Sequence, residues 1–165
     1  MKPNEDWEAR MANLWAAFDD HEPADFLAKV EALAAERPAG NAIALFELAS
    51  ANDSTGHPDK AAPLYRRALA AGLTGLRRRR AVIQMASTLR NLGHADESVA
   101  LLTAERKADS DELDDAVAAT LALALVDTGQ ERKAAAIAIL ALSRHLPRYN
   151  RSMANYAKAL CSDLP

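Results

Sequence analysis

A repeated turn constrains the fold of this chain more than any other feature of its sequence. Gly56, Gly93 and Gly129 lie 37 and then 36 residues apart, and each separates two stretches whose apolar residues recur at helical spacing. A single helix pair of this kind leaves its apolar side uncovered, so like pairs must stack against one another. The period therefore predicts an all-α solenoid of antiparallel helix pairs.

The apolar and small residues around the three turns are in register. A stripe before the glycine and a stripe after it return in each of the three stretches. The positions are Leu45, Leu48, Ala49, Gly56, Ala61, Tyr65 and Ala68, then Val82, Met85, Ala86, Leu89, Gly93, Ser98 and Leu102, then Ala118, Leu121, Ala122, Leu125, Gly129, Ala134 and Ala138. Each position alone is a weak signal, whereas three copies in register are a strong one.

The first copy resembles the tetratricopeptide repeat, whose consensus has a Leu and a small residue before the glycine, and an Ala, an aromatic residue and another Ala after it. The later copies depart from this pattern, with Ser98 and Glu105 at Ala positions and Leu102 and Ala138 at the aromatic position. The resemblance covers about 41–147, and the ending RYNRSMANYAKAL is similar to that of a small bacterial subgroup, group 5 of these repeats. It implies a right-handed α-α superhelix whose first helices line a concave groove for a peptide or a partner protein.

The length of 165 residues suits one domain with a continuous core. Within residues 1–165 we predict a divergent N-terminal helix pair over 5–37, repeats over 41–72, 76–108 and 111–146, and a capping helix over 148–162. Trp7 and Trp15 share one stripe of the first helix. We expect this stripe to be buried within the chain, with a role in an interface as the alternative. The stripe predicted for the capping helix consists of Met153, Tyr156, Ala157 and Leu160.

Composition and charge exclude several classes of protein. The net charge of −3 gives no overall electrostatic case for nucleic acid or for an anionic membrane surface, and no apolar run approaches the roughly 20 residues of a membrane-spanning helix. Cys161 is the single cysteine and cannot form an internal disulfide, while the start MKPNEDWEAR lacks the apolar region of a signal peptide. We therefore expect a cytoplasmic protein.

Catalysis needs side chains that converge, and the sequence offers no such set. His57 and His94 occupy matching turns, but neither has a Cys or carboxylate cluster nearby in sequence that would complete a metal site. Gly56 and Gly93 belong to no glycine-rich phosphate loop. We predict a non-enzymatic protein with no catalytic residues, no cofactor and no metal.

Four successive arginines, Arg77 to Arg80, need an explanation because the N-terminal end of a helix disfavours cations. One interpretation pairs them with the acidic start of the next repeat, which consists of Asp111, Glu112, Asp114 and Asp115. The other gives one or two of them an anion-binding role. An alternative function follows from the second interpretation, namely binding of nucleic acid or an anionic ligand through this run and Arg90, with a steep dependence on salt.

The resemblance also implies which residues line the groove. In this numbering they are Ile43, Phe46, Ser50, Asp53, Arg80, Ile83, Ser87, Arg90, Asn91, Ala119 and Leu123. An apolar floor with a few arginines and amides suits a peptide, whose carboxylate Arg80 or Arg90 could hold. The lysines of the family's known carboxylate clamp are absent, so that ligand is not carried over. Two alternatives stay open: Phe46 and Ile83 are ordinary core residues or lie under the C-terminal segment, or the chain is a self-associating scaffold that forms a homo-oligomer.

Overall fold

The computed structural model describes residues 3–108 and 110–161, without the side chains of residues 3–5. Over these residues the chain is helical and has no strand. The helices are α1 (Pro3–Ala16), a short 3-10 helix (Phe18–Asp20), α2 (Pro23–Ala35), α3 (Ala42–Ser54), α4 (Pro58–Ala70), α5 (Gly75–Asn91), α6 (Ala95–Glu105), α7 (Asp114–Asp127), α8 (Glu131–Ser143) and α9 (Asn150–Leu160). The prediction of an all-α helical-repeat fold is confirmed.

The helix ends follow from local chemistry. The side chain of Asn41 accepts a hydrogen bond from the Ala44 amide at 3.0 Å and so caps the start of α3. Pro23 and Pro58 begin α2 and α4, where a missing N–H has no helical partner to lose. Gly93 ends α5 with a φ of 86°, a conformation that glycine adopts without steric cost.

The chain forms two compact units, and the boundary between them falls within α5, between Ala81 and Val82. In the first unit, Trp7, Met11, Phe26, Val30 and Ala51 form one core cluster. The Trp7 Nε1 group donates a hydrogen bond to the Leu33 carbonyl at 2.7 Å, which joins α1 to α2. The first helix therefore turns its large apolar stripe into the first unit, as the sequence predicted for Trp7.

The other half of the first unit is the α3–α4 pair. Phe46 of α3 and Tyr65 of α4 are both fully buried, with ring centroids 6.4 Å apart. Alanines at 49, 61, 62 and 68 are also buried. Small residues at these positions let the two helices approach closely.

The core of the second unit joins α5, α6, α7 and α8. It is built from Ala86, Leu102, Val117, Ala118, Leu121, Ala122, Leu125, Ala134 and Ile137. In α8 the buried large residue is Ile137, whereas Ala138, which the repeat register places in the stripe, is exposed.

The last helix packs against α8, as predicted, but its contact stripe is narrower than expected. Ala157 is fully buried, and Met153 and Leu160 are half-buried. The prediction was wrong for Tyr156, which is 65% exposed. Tyr156 is rotated by about 100° from Ala157 around the helix axis, so the face centred on Ala157 excludes it.

The start of α7 also differs from the prediction. The helix begins at Asp114 rather than near residue 111, and Leu113 at its cap position makes no side-chain capping bond. Instead, Asp111 Oδ1 accepts a hydrogen bond from the Leu113 amide at 2.8 Å and closes a turn before the helix. Asp109, which precedes the predicted third repeat, lies outside the described residues.

Candidate functional site

The predicted groove residues divide between the two units. Ile43, Phe46, Ser50, Asp53 and Arg80 belong to the first unit, and Ile83, Ser87, Arg90, Asn91, Ala119 and Leu123 belong to the second. We describe the two groups in turn.

In the first unit, part of the predicted groove is closed. Phe46 and Ser50 are buried, so neither presents a side chain to a ligand. Ile43 and Asp53 are half-buried, and Arg80 is exposed with its guanidinium carbon 5.3 Å from the centre of the Phe46 ring. Contacts on this side would therefore depend on Ile43, Asp53 and Arg80.

A buried polar cluster is centred on Glu47, the residue after Phe46 in α3. Glu47 is only 5% exposed, and its Oε2 atom accepts a hydrogen bond from Trp15 Nε1 at 2.8 Å. Its Oε1 atom lies 3.5 Å from Arg77 Nε, and Arg77 also pairs with Glu8 of α1. The cluster ties α1 and α5 to α3. Burial raises the pKa of the Glu47 carboxyl, against the lowering effects of the Trp15 hydrogen bond and the Arg77 charge.

Asp53 and Tyr65 form a second polar contact beside this cluster. The Tyr65 hydroxyl donates a hydrogen bond to Asp53 Oδ2 at 3.4 Å. Burial raises the pKa of the Tyr65 hydroxyl, so this group stays a donor at neutral pH. Asp53 is half-buried at this contact.

Arg77, the first arginine of the run, has partners other than the acidic start of the next repeat. Arg77 pairs with Glu8 and Glu47, two acidic residues that the sequence argument did not consider. Asp115, one of the partners expected for the arginines, accepts a hydrogen bond from Arg144 and pairs with His145 at 2.7 Å. Repeat spacing alone could not reveal these pairs, because they depend on which helices pack side by side.

The second unit carries an open surface on α5 and α7. On α7, Leu123 is 54% exposed and Val126 is 49% exposed, with Ala119 also exposed. These residues follow one another at steps of four and three, so they form one stripe along the helix. Exposed stripes of large apolar residues mark interaction surfaces more often than single exposed residues do.

The neighbouring stripe on α5 is more polar. It consists of Ile83, Ser87, Arg90 and Asn91, of which Ile83 packs against the core shared with α7. Arg90 Nη1 donates a hydrogen bond to Asp127 Oδ2 of α7 at 3.2 Å, which holds the two stripes together. Within the described part of the chain, the other guanidinium donors of Arg90 make no hydrogen bond, and its Nε atom is buried. We call the surface made by Ile83, Ser87, Arg90, Asn91, Ala119, Leu123, Val126 and Asp127 the α5–α7 face.

Val126 and Asp127 are the members of this face that the sequence argument missed. Helical spacing places both residues on the same side of α7 as Leu123, since Val126 lies three residues and Asp127 four residues after it. The family register predicts only Ala119 and Leu123 on α7. The face itself therefore extends one turn beyond the predicted residues.

Searches for other kinds of site are negative over the residues that the structure describes. No three His, Cys, Asp or Glu side chains come together there to hold a metal ion. No helix in that part of the chain combines the length and the apolar character needed to cross a bilayer. Cys161 is half-buried at the end of α9.

The sequence model of the family described as Tetratrico peptide repeat matches residues 42–160, which is well over half of the chain. Searches of curated proteins and of solved structures found no match.

Proposed function

We propose, from the premise that the chain belongs to the tetratricopeptide repeat family, that it holds a peptide segment of a partner protein on its α5–α7 face. Repeats of this family serve in general as modules for protein–protein interaction, and they are typically not enzymes. The finer part of the proposal is the choice of surface and the chemistry of the peptide. It rests on one observation, the apolar stripe of α7 beside Arg90.

The chemistry of the α5–α7 face selects a peptide of mixed character. Leu123 and Val126 offer a place for an apolar side chain, since covering them removes large apolar area from water. Arg90 has donors left for a peptide carboxylate or carbonyl, and Asn91 is exposed beside it. The expected ligand therefore has an apolar anchor with an acidic residue or a C-terminal carboxylate nearby.

The predicted groove residues of the first unit have a smaller part in this proposal. Phe46 and Ser50 act from beneath the surface, by fixing α3 and supporting the Arg80 side chain. Ile43, Asp53 and Arg80 are the ones that a ligand could touch. We expect substitutions at these three to weaken binding less than substitutions on α7, because no exposed apolar stripe accompanies them.

The test begins with peptides selected from a random displayed library on the immobilised chain, whose affinities are then measured by fluorescence anisotropy. Leu123→Ser and Val126→Ser should each weaken binding by about ten-fold or more, since losing one apolar contact costs about 1.4 kcal/mol or more. The matched control is Leu142→Ser on α8, where a leucine is 56% exposed outside the face. Equal losses for Leu123→Ser and Leu142→Ser, or no selected peptide at all, would contradict the proposal.

The alternative through the arginine run receives less support. Arg77 is held in ion pairs with Glu8 and Glu47, and Arg79 is only 5% exposed. Arg77 is thus already engaged by two carboxylates, and Arg79 is withdrawn from solvent. The self-association alternative through the tryptophans is also weakened, because Trp7 lies in the core of the first unit.

A further inference from the structure

We propose that the first unit carries a second docking groove, on the other side of α3, which takes an acidic amphipathic helix of a partner protein. The groove has a volume of about 760 Å³ and lies between α2 and α4 over the surface of α3. Neither the family match nor the α5–α7 face assigns a role to it. It belongs entirely to the first unit.

The groove is separate from the predicted concave surface because of helix geometry. Leu45, Leu48 and Asn52 line the groove and share one side of α3. Phe46, Ser50 and Asp53 are centred about 130° away around the same helix. A ligand in the groove would therefore contact none of the residues that the family register predicts.

The floor of the groove is apolar. Ala34 of α2 and Leu45 of α3 are buried beneath it, whereas Leu48 and Leu64 are half-buried and present part of their side chains. The chain runs from α2 to α3 through Pro38, Ala39 and Gly40 at one end, and these also line the groove. Such a floor favours leucine-like side chains of a ligand through burial of apolar surface.

The walls of the groove are basic although the chain as a whole carries a net charge of −3. Lys60 and Arg67 are exposed on the α4 wall and, over the described residues, make no side-chain hydrogen bond or ion pair. Arg37 adds a third positive charge at the α2 end, where its guanidinium carbon lies 4.3 Å from the centre of the Trp7 ring. Glu31 is the acidic residue of the lining. Charge complementarity therefore selects an acidic ligand.

The spacing of the basic residues suits a helix. Lys60 and Arg67 are seven residues apart on α4, a distance of about 10.5 Å along the axis, with Leu64 between them. A docked helix with acidic residues seven apart and leucines between them matches both the charges and the apolar floor. The groove is open to solvent along its length, which leaves room for the polar face of such a helix.

The test selects peptides from a displayed library of random helix-forming sequences on the folded chain. We expect enrichment of sequences with Asp or Glu seven residues apart and apolar residues between them. The double substitution Lys60→Glu with Arg67→Glu should weaken their binding by about ten-fold or more and reverse the sign of its salt dependence, because the charges that line the groove then become net negative. The matched control is Arg151→Glu with Lys158→Glu, two exposed basic residues that are also seven apart, on α9.

A second variant fills the groove without changing charge. Ala35 is an exposed residue of the lining, so Ala35→Trp should block the helix while the chain stays folded by circular dichroism. Ala32→Trp, on an exposed position of α2 outside the lining, is the control and should leave binding unchanged. Loss of binding in both Ala35→Trp and Ala32→Trp, or in neither of them, would overturn the proposal.

Other outcomes also decide the question. Enrichment of basic peptides, or of acidic peptides that bind the Lys60→Glu and Arg67→Glu variant as well as the wild type, would overturn it. A third result would also overturn the proposal: oleate binds tightly, the Lys60→Glu and Arg67→Glu variant loses that binding, and no helical peptide is selected. The groove would then hold a small amphiphile. Leu123→Ser should leave binding of the acidic helix unchanged, so failure of this proposal and failure of the α5–α7 proposal are distinguishable.

Discussion

Glu47 is a carboxyl group buried between polar side chains of two other helices. It stands between Phe46 and Leu48 in α3, and the helical pattern gives no sign that a carboxyl group is buried there. The structure places it beneath α1, where Trp15 donates a hydrogen bond to it and Arg77 lies close. A contact between a divergent helix and a repeat depends on packing in space, which the repeat period does not describe.

Glu47 should make stability depend on pH. Because burial raises the pKa of its carboxyl above the ordinary value of 4.5, the folded chain binds more protons than the unfolded chain between that value and the folded pKa. The contribution of Glu47 to the free energy of unfolding is therefore greatest below about pH 4.5 and falls as pH rises through this window. Arg77, Arg80 and Glu8 are the other charged groups that act on it.

Glu47→Gln should remove this dependence while keeping an oxygen that accepts the Trp15 hydrogen bond. The difference in free energy of unfolding between variant and wild type should shift in favour of the variant as pH rises from 4.5 to 7. Urea unfolding followed by tryptophan fluorescence at several pH values measures it, with Glu31→Gln on an exposed side chain as the control. The prediction fails if the difference in free energy of unfolding between variant and wild type stays constant with pH, or shifts in favour of the wild type as pH rises.

At the scale of helices, the existence of the elements was predictable and their ends were less so. The repeat period predicts helix pairs because apolar stripes at helical spacing must be covered. The third repeat was predicted to begin at residue 111, but α7 begins at Asp114. Asp and Ser side chains hydrogen-bond to nearby backbone groups and so favour turns and helix ends, which leaves tertiary contacts to decide where such a helix starts.

The α8–α9 contact should be sensitive to side-chain size at one position. Ala157 is fully buried, so Ala157→Leu forces extra atoms into a packed contact and should lower the free energy of unfolding by about 1–3 kcal/mol. Ala159 is exposed on the same helix, and Ala159→Leu should change the stability by about 0.5 kcal/mol or less. Chemical denaturation of both variants measures the difference. Similar stabilities would mean that α9 does not dock as described.

The turn after α5 offers a test of backbone conformation. Gly93 has a φ of 86°, and a Cβ atom there would meet no other atom within 4 Å. Any loss of stability in Gly93→Ala must then come from the left-handed backbone, at a cost of about 1–2 kcal/mol. Gly93→Asn should lose less, because asparagine tolerates this conformation better. Thermal unfolding that ranked Asn below Ala would contradict this explanation.

For the candidate site as a whole, the sequence was most useful where repeat register and helical spacing agreed. Ala119 and Leu123 were predicted from register and are exposed on α7. Phe46 was predicted by the same register and is fully buried, because register places a residue on a helix face without saying what covers that face. The groove between α2 and α4 could not be predicted, because its width depends on the packing distance between helices. Small residues such as Ala34 and Ala44 line it.

The electrostatics of the whole molecule lead to a last prediction, on nucleic acid. The net charge is −3, Arg79 is buried and Arg77 is paired to Glu8 and Glu47, so the arginine run forms no strong site for phosphates. Lys60 and Arg67 would contact about two phosphates, and each contact contributes less than one unit to the slope of log affinity against log salt. We expect dissociation constants weaker than about 10⁻⁴ M for duplex DNA and single-stranded RNA near physiological salt, measured by mobility shift and anisotropy. Micromolar binding with a slope of about −4 or steeper would require the arginine run to open and pair with phosphates, and Arg78→Glu with Arg80→Glu should then abolish it.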